Sequence, residues 1–289
     1  MLAIISKEIK SYFTSFHGYV FLAGFVFLMG LFFYMFNIAG SQASFVATLA
    51  NSTTLIIFLV LIPILTMQLF SEETRQRTDQ LLYTSSLAIP HIVIGKYLGA
   101  VVLFAIGVAV TLIFPAIISL YAYVPFAETF GAYLGFMLIG ISFIAVGLFV
   151  SCLTNNTIVS AVGSFAALFM FYTIDAVAAF MPTDRISSAV FLVLLVIGAA
   201  FIIYDATKNI FAGIAFFSLS FIVGIAAYNI NPLLFDAVIP RMLHWFSILR
   251  RFGAFSMGIL AISDMVYYLA FSAALIYLTI NAIEKRRWK

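Results

Sequence analysis

Charge is the scarcest feature of this sequence. Only 9% of its 289 residues are Asp, Glu, Lys or Arg, whereas 65% are hydrophobic, and the mean hydropathy is +1.18. Soluble domains contain about 25% charged residues. No stretch has the mixed polarity that a domain outside a membrane needs. The composition therefore predicts a single all-α transmembrane domain over residues 1–289, in contact with membrane lipid. The small formal charge of +3 disfavours nucleic acid as a partner.

Cysteine and histidine are also scarce. The single cysteine, Cys152, cannot form a disulfide within the chain. The three histidines are scattered and lack the spacing of metal ligands; they are His17, His91 and His244. We therefore expect no metal and no cofactor bound by this chain itself.

A phosphate-binding loop of the form GxxxxGK[ST] is missing as well. The only Gly-Lys pair, Gly95-Lys96, has Pro90 at the position of the first glycine and Tyr97 at the position of the hydroxyl ligand. We therefore predict that the chain is not an enzyme and that it does not hydrolyse ATP alone.

Ionisable residues are almost absent from the long apolar runs. A charge at mid-membrane is costly, and ion-coupled transporters retain such groups inside their spans. Here only Asp175, Asp205 and Asp264 lie near the ends of runs. We interpret Asp175 and Asp264 as helix-end carboxylates, with a polar position in a translocation path as the alternative. An intramembrane enzyme would need paired aspartates, a Ser/His arrangement or an H-E-x-x-H spacing. The sequence shows none of these patterns.

Eight apolar runs are long enough to cross a hydrocarbon core of about 30 Å as helices of about 20 residues. Their approximate limits are 18–39, 52–70, 92–123, 130–153, 157–180, 189–204, 210–229 and 259–282. The sixth run is the shortest. The alternative is therefore a protein with six spans, in which 189–229 forms a re-entrant hairpin.

The basic residues predict the orientation, because cytoplasmic loops are enriched in Lys and Arg. If all eight runs span, ten of the 14 Lys and Arg residues lie on the face that holds both termini. The other four are Arg185, Arg241, Arg250 and Arg251. We therefore predict a multi-pass protein of the plasma membrane with both termini in the cytoplasm.

Three segments outside the spans have amphipathic or polar patterns. Residues 1–16 place apolar side chains at helical spacing, which predicts an interfacial helix on the cytoplasmic leaflet. Residues 71–91 form the longest polar interruption and are predicted to be cytoplasmic. Residues 230–258 include an amphipathic stretch at about 233–252, which predicts an outer-face helix with Pro240 as a candidate break.

The pattern over residues 71–100 is the most specific in the chain. It resembles the coupling-helix region of ABC permeases of the type-2 exporter family, whose usual pattern is SEE-R-R-S-G-T-x-E-L-L-x-T-S-P followed by I-x-x-G-K-x-L-G-A. The matching residues are Ser71, Glu72, Glu73, Arg75, Thr78, Leu81, Leu82, Thr84, Ser85, Gly95, Lys96, Leu98, Gly99 and Ala100. Three residues depart from the pattern: Arg77 stands at the family's glycine, Gln80 at its second glutamate and Ser86 at its proline.

The last span is similar to that of the gliding-motility branch of the same family. The matching residues are Phe255, Ser256, Gly258, Asp264, Tyr267, Tyr268 and Leu278, with the closing Glu284-Lys285-Arg286-Arg287-Trp288. That branch commonly has six spans. The pair of runs at 189–229 therefore resembles an inserted hairpin.

The resemblance implies a permease subunit that pairs with itself or with a homologous permease. It implies two copies of a separate ABC ATPase as the motor, where ATP and Mg²⁺ bind, and export of the substrate. The ATPase-docking residues that it implies, on a coupling helix within 71–91, are Glu72, Glu73, Arg75, Thr78, Leu81 and Leu82.

Other interpretations remain open from the sequence. A mechanotransmission or accessory subunit would pass ATP-driven motion to an outer-face auxiliary protein through residues 230–258 and would move no cargo. The plain structural interpretation of Glu72, Glu73 and Arg75 is a solvated connector whose charges lie at the membrane surface.

Overall fold

The computed structural model describes residues 2–42, 44–78, 88–230 and 235–287. It is 84% helical, and no β-strand occurs within those ranges. The predicted all-α class is therefore confirmed. Contacts divide the chain into two compact units: unit 1 comprises Met1–Phe171 and Ile248–Lys289, and unit 2 comprises Tyr172–Ser247.

The helices are numbered in chain order. They are α1 (Leu2–Thr14), α2 (Phe16–Phe32, continued by a π-helix over Phe33–Ala39), α3 (Phe45–Ala50), α4 (Ser52–Thr66), α5 (Ser71–Arg75), α6 (Ile89–Thr111), α7 (Ile113–Ile118), α8 (Phe126–Leu153), α9 (Thr157–Phe180), α10 (Arg185–Thr207), α11 (Ile210–Ile230), α12 (Val238–Phe246), α13 (Phe252–Ser256) and α14 (Ile262–Arg287).

Eight helices in the described part of the chain are long and apolar enough to cross a membrane. They cover Phe16–Ala39, Ser52–Arg75, Ile89–Ile118, Phe126–Leu153, Thr157–Phe180, Arg185–Asp205, Ile210–Ile230 and Ile262–Arg286. Each corresponds to one of the predicted runs. The run predicted to be shortest lies in a helix of 21 residues, which favours eight spans over six. The chain is thus a multi-pass membrane protein.

The centre of unit 1 is formed by α8, which packs against α4, α6, α13 and α14. Phenylalanines fill the space between these helices. The ring of Phe58 lies 4.6 Å from that of Phe136 and 5.8 Å from that of Phe143, and Phe25 meets Phe104 edge-on at 5.8 Å. All five side chains are buried. Because lipid tails are as apolar as these rings, tight packing rather than escape from water must hold the helices together.

Small residues on α8, among them Gly135, Gly140 and Gly147, allow this close packing. A Cβ atom on Gly140 would lie 2.2 Å from the Phe104 ring, and one on Gly147 would lie 2.1 Å from the hydroxyl of Thr66. Neither position can carry a side chain without displacing a neighbouring helix.

The π-helix at the end of the first span has a buried amide in it. The side-chain nitrogen of Asn37 donates to the carbonyls of Gln42, at 2.8 Å, and Ser44, at 3.2 Å. Its oxygen accepts a 2.7 Å hydrogen bond from the hydroxyl of Thr48 on α3. This one side chain therefore ties the first span to the chain that follows it.

Unit 2 consists of the end of α9 and the helices α10, α11 and α12. The carboxylate of Asp184 caps α10 by accepting from the backbone N–H of Ser187 at 2.9 Å, and this hydrogen bond lowers the pKa of Asp184. Lys208 ends α10 with a left-handed φ of 52°, and α11 begins two residues later.

The predicted outer amphipathic helix is shorter than expected and is not broken at Pro240. α12 begins at Val238, so Pro240 lies in its first turn, where a missing N–H leaves no hydrogen bond unmade. Residues 231–234, at the start of the predicted segment, lie outside the described residues. The rest of the segment forms a second short helix, α13, in unit 1.

Candidate functional site

The short helix α5 carries three of the predicted docking residues, and its first turn is fixed by α8. The hydroxyl of Ser151 on α8 accepts hydrogen bonds from the backbone N–H groups of Phe70 and Ser71, at 3.1 Å and 3.3 Å. The same hydroxyl lies 3.3 Å from the carbonyl of Met67. The buried Ser151 side chain therefore holds the start of α5 against α8.

The end of α5 is also well defined. The N–H of Arg77 donates to the carbonyl of Thr74 at 3.2 Å, and the N–H of Thr78 donates to that of Glu73 at 3.0 Å. This pair of bonds is a Schellman motif, whose second residue past the helix is left-handed and is usually glycine. Arg77 occupies that position with φ of 57°. It is the residue that stands at the glycine of the pattern described above.

One edge of α5 is exposed. The carboxylate of Glu72 accepts a 2.8 Å hydrogen bond from Arg75 and a 2.6 Å bond from the amide of Gln76. The Arg75 side chain is 59% exposed. Thr78 is also exposed. These residues can therefore reach a partner outside the unit without rearrangement.

Glu73 points the other way, into an ionic cluster. Its carboxylate lies 2.8 Å from the ammonium group of Lys96 on α6, and Lys96 also lies 3.1 Å from Glu8 on α1. The Lys96 side chain is only 3% exposed. Lys7, which is on the surface, lies 3.7 Å from Glu73. The four residues carry two charges of each sign, so the buried charge is compensated, as burial of an ion requires.

The backbone of α6 lets α1 approach closely enough to make this cluster. A Cβ on Gly95 would lie 2.8 Å from Ile4, and one on Gly99 would lie 2.7 Å from the Cβ of Glu8. Glycine at both positions therefore brings Glu8 within reach of Lys96. Gly95, Lys96 and Gly99 belong to the matching pattern, and the structure gives them this joint role.

A hydrogen bond fixes the other end of α1. The Tyr12 hydroxyl donates to the carbonyl of Leu65, near the end of α4, at 3.1 Å. Burial raises the pKa of Tyr12 above its usual range, so the phenol stays a neutral donor. The helix predicted at 1–16 is confirmed as a helix at Leu2–Thr14. Part of the face predicted to meet lipid instead packs against α6 and α2.

Sequence patterns do not reveal the most buried members of this site. Glu8 lies among residues that are typical of a surface helix, and Lys96 matches a motif that carries no sign of its burial. The two positions that would have signalled their meeting are Gly95 and Gly99. Leu81 and Leu82, the remaining predicted docking residues, lie outside the described residues, as do Thr84 and Ser85.

The two aspartates proposed as helix-end or translocation residues are both paired. Asp264, in the first turn of α14, lies 2.8 Å from Arg251 within unit 1. Asp175, near the end of α9, accepts from Nδ1 of His244 at 2.9 Å and from the hydroxyl of Ser247 at 2.5 Å, within unit 2. Whether either aspartate lies on a translocation path stays a prediction.

The Asp175 group contains the residue types of a catalytic triad, but its connections differ. In a triad the serine hydroxyl donates to histidine, and the carboxylate orients that histidine. Here Ser247 and His244 both donate to Asp175. The described residues contain no cluster of His, Cys, Asp or Glu able to hold a metal ion. The arrangement fastens α12 to α9.

Comparison with known proteins finds no relative: no family model, no curated protein and no solved structure matches the chain.

Proposed function

We propose that this chain is the permease subunit of an ABC transporter, in which a separate ATPase subunit hydrolyses ATP and the permease moves a substrate, in the direction of export. The complex would contain two ATPase copies and a second permease, identical or homologous. Both termini would lie in the cytoplasm of the cell whose plasma membrane holds it. The observation that supports this most strongly is the double role of α5.

α5 connects an outward surface to the spans. Glu72 and Arg75 lie on its exposed edge, while Glu73 on the same helix is ion-paired to Lys96 at the start of α6. Lys96 in turn holds Glu8 of α1. Removing one partner from a buried ion pair costs about 3–5 kcal/mol. A force applied to the exposed edge would therefore move α5, α1 and the first turns of α6 together.

A connector that is only solvated would need no buried ion pairs. Charges at a membrane surface can remain hydrated at the ends of long side chains, without burial. Burying a lysine instead carries a desolvation penalty that only close carboxylates offset. The buried cluster thus favours transmission of movement over the plain structural interpretation.

The test exchanges charges on the exposed edge only. The double variant Glu72→Arg/Arg75→Glu keeps an ion pair on α5 but reverses the charge pattern that a partner meets. We expect the tagged wild-type chain, extracted from native membranes in mild detergent, to bring with it an ATPase with a phosphate-binding loop at about equal stoichiometry. The double variant should insert normally and lose that ATPase.

A matched control is available on another exposed pair. Asp205 and Lys208 form an ion pair three residues apart, as Glu72 and Arg75 do. The exchange Asp205→Lys/Lys208→Asp should leave the ATPase bound. Extraction of the wild-type chain without any ATPase, or equal retention by both double variants, would contradict the proposal.

The accessory role remains the second candidate because of α12. This helix exposes Trp245 and Phe246 to 61% and 45%, while His244 beside them is fastened to Asp175. A rigidly held aromatic surface could contact an outer-face auxiliary protein. Reconstitution in liposomes separates the two: a permease gives ATP-dependent flux of a substrate, whereas an accessory subunit gives ATP hydrolysis only with its outer partner and no flux.

A further inference from the structure

The third span is interrupted near its end. α6 ends at Thr111 and α7 begins at Ile113, although the span as a whole covers Ile89–Ile118. Leu112 forms a turn between them, and its N–H donates at 3.2 Å to the carbonyl of Ala109, three residues back rather than four. At 1.5 Å per residue the break lies about 9 Å from the end of the span. It therefore falls within one leaflet, which provides about 15 Å of hydrocarbon.

Pro115 explains the break. In a regular helix the N–H of residue 115 donates to the carbonyl of Thr111, and proline has no N–H. The hydroxyl of Tyr133 on α8 donates to this carbonyl instead, at 2.9 Å. Both side chains are buried, and a carbonyl without a partner is unfavourable where water is excluded. The phenol therefore supplies the hydrogen bond that the third span cannot make for itself.

The source of this hydrogen bond affects how firmly the two helices are joined. An N–H four residues along the same helix fixes the pitch between successive turns. A phenol on a neighbouring helix satisfies the carbonyl without joining α6 to α7. The next backbone bond, from the N–H of Ala116 to the carbonyl of Leu112, is 3.4 Å long, beyond the usual limit of about 3.2 Å. The backbone connection across the break is therefore weaker than in a continuous helix.

The helices on either side of the break are packed differently. α6 lies against α1, α2, α8 and α14. α7 packs mainly against the short helix α3, and the ring of its Phe114 lies 4.8 Å from that of Phe33 and 5.7 Å from that of Phe45. Ile113 and Ile117 on α7 are exposed. α6 is thus held by four long or amphipathic helices, whereas α7 is held mainly through aromatic rings on one side.

We infer that the third span is hinged at Leu112, so that α7 swings relative to α6 while the Tyr133 phenol keeps the Thr111 carbonyl hydrogen-bonded. Hinges are a few residues at the ends of elements that absorb the change in backbone angles, and Leu112 has that position. The ring of Tyr133 also stacks on that of Phe45 at 6.0 Å. The same side chain therefore links the hinge to the surface on which α7 rests. The inference does not depend on the proposed transport role.

Two substitutions act on the hinge in opposite directions. Pro115→Ala supplies an N–H at position 115, which can donate to the Thr111 carbonyl and make the helix continuous. Tyr133→Phe removes the phenol hydroxyl and leaves that carbonyl without its donor. The double variant Pro115→Ala/Tyr133→Phe should behave like Pro115→Ala, because the new N–H makes the phenol unnecessary.

A second buried tyrosine provides the matched control. The hydroxyl of Tyr97 on α6 also donates to a carbonyl of α8, that of Ile141, at 3.2 Å. Four residues after Ile141 the sequence has Ala145, which keeps its N–H, so this carbonyl does not depend on the phenol. Tyr97→Phe therefore removes an equivalent hydroxyl from the same unit without touching the hinge.

The measurement is amide hydrogen exchange, followed by mass spectrometry, of the purified full-length chain in detergent. We expect the wild type to exchange faster over residues 112–119 than over residues 100–107 of α6. Pro115→Ala should slow exchange over 112–119 about two- to tenfold, and Tyr133→Phe should speed it by a similar factor, since one hydrogen bond contributes about that much to an opening equilibrium. Tyr97→Phe should leave exchange over 112–119 unchanged.

Three results would overturn the inference. The first is exchange over 112–119 that Pro115→Ala does not slow, since the break would then be a fixed kink; this variant decides the matter even if Tyr133→Phe does not fold. The second is an equal effect of Tyr133→Phe and Tyr97→Phe. The third is faster exchange in the double variant than in Pro115→Ala, since the phenol would then act through the packing of α8 and not through the Thr111 carbonyl.

Discussion

The two ionic clusters of this protein are built from similar residues, and they differ in burial. The Lys96 side chain in unit 1 is 3% exposed, whereas Arg185 and Asp236 in unit 2 are 46% and 38% exposed. A buried pair must be matched closely, because an uncompensated charge cannot be hydrated. An exposed pair is screened by solvent and stabilises little. The first cluster can therefore fix helix geometry, whereas the second contributes little to it.

The spans of the two units also differ in burial, which is greatest for two spans of unit 1. In unit 1, 67% of the residues in the apolar parts of α4 and α8 are buried, whereas in unit 2 the figures are 6% for α10 and 7% for α11. Few residues of α10 and α11 are therefore fully buried. Substitutions should consequently cost more stability in the buried spans of unit 1 than in these two helices.

The largest expected effect is the loss of the buried lysine. Lys96→Met leaves Glu8 and Glu73 facing each other without a cation, and we expect it to destabilise unit 1 by about 3–5 kcal/mol. Thermal unfolding in detergent measures this, with the exposed Lys10→Met as the control. Adding Glu8→Gln and Glu73→Gln should recover part of the loss. A single variant as stable as the wild type would show that the cluster does not fix the fold.

The next largest expected effect on stability is steric. Gly99→Ala places a Cβ 2.7 Å from that of Glu8, so α1 must shift away from α6. We expect a loss of about 1–3 kcal/mol. Gly198→Ala in unit 2 meets nothing within 4 Å and should be neutral or slightly stabilising, since alanine favours a helix over glycine. Equal unfolding temperatures for the two variants would contradict the difference in packing between the units.

A smaller effect is expected at the left-handed turn after α5. Arg77→Gly should raise the unfolding temperature relative to Arg77→Ala, because only glycine adopts a positive φ without a cost of about 1–2 kcal/mol. Comparing two variants that both lack the charge removes its contribution. A more stable alanine variant would mean that the turn does not keep this conformation in the membrane.

The smallest effect concerns pH in unit 2. The hydrogen bonds from Arg185 lower the pKa of Asp236, so the folded protein keeps this carboxylate ionised at a lower pH than the unfolded chain does. Its contribution to stability is therefore full above the ordinary aspartate pKa of about 3.9 and is lost as pH falls through the lowered value. The unfolding temperatures of wild type and Asp236→Asn should differ slightly above about pH 5 and converge in strong acid. A difference that grows on acidification would contradict this assignment.

The sequence predicts the spans, whereas the docking role of its candidate residues stays a prediction. Apolar runs such as 130–153 predict helices directly, because a chain in lipid must satisfy its backbone hydrogen bonds internally. The motif also identified the segment that carries Glu72 and Arg75. What it could not supply is the partner of each side chain: Glu72 and Glu73 are neighbours in sequence, yet one is paired with the exposed Arg75 and the other with the buried Lys96.

Pairing between residues that are far apart in sequence could not be predicted either. Asp175 and His244 are 69 positions apart, and no spacing rule relates them. Glu8 meets Lys96 only because two glycines on α6 admit α1, which becomes apparent once the helices are packed together.

The π-helix at Phe33–Ala39 has a consequence for how the first span tolerates changes in length. A π-helical turn holds one residue more than an α-helical turn of the same rise. Deleting one residue there would restore ordinary pitch and leave the chain beyond in register, because the deleted residue is the extra one. The same deletion in the regular α-helix of Phe16–Phe32 would rotate everything beyond by about 100°. The first span should therefore tolerate a single-residue deletion at this end, provided that Asn37 and its partner Thr48 are kept.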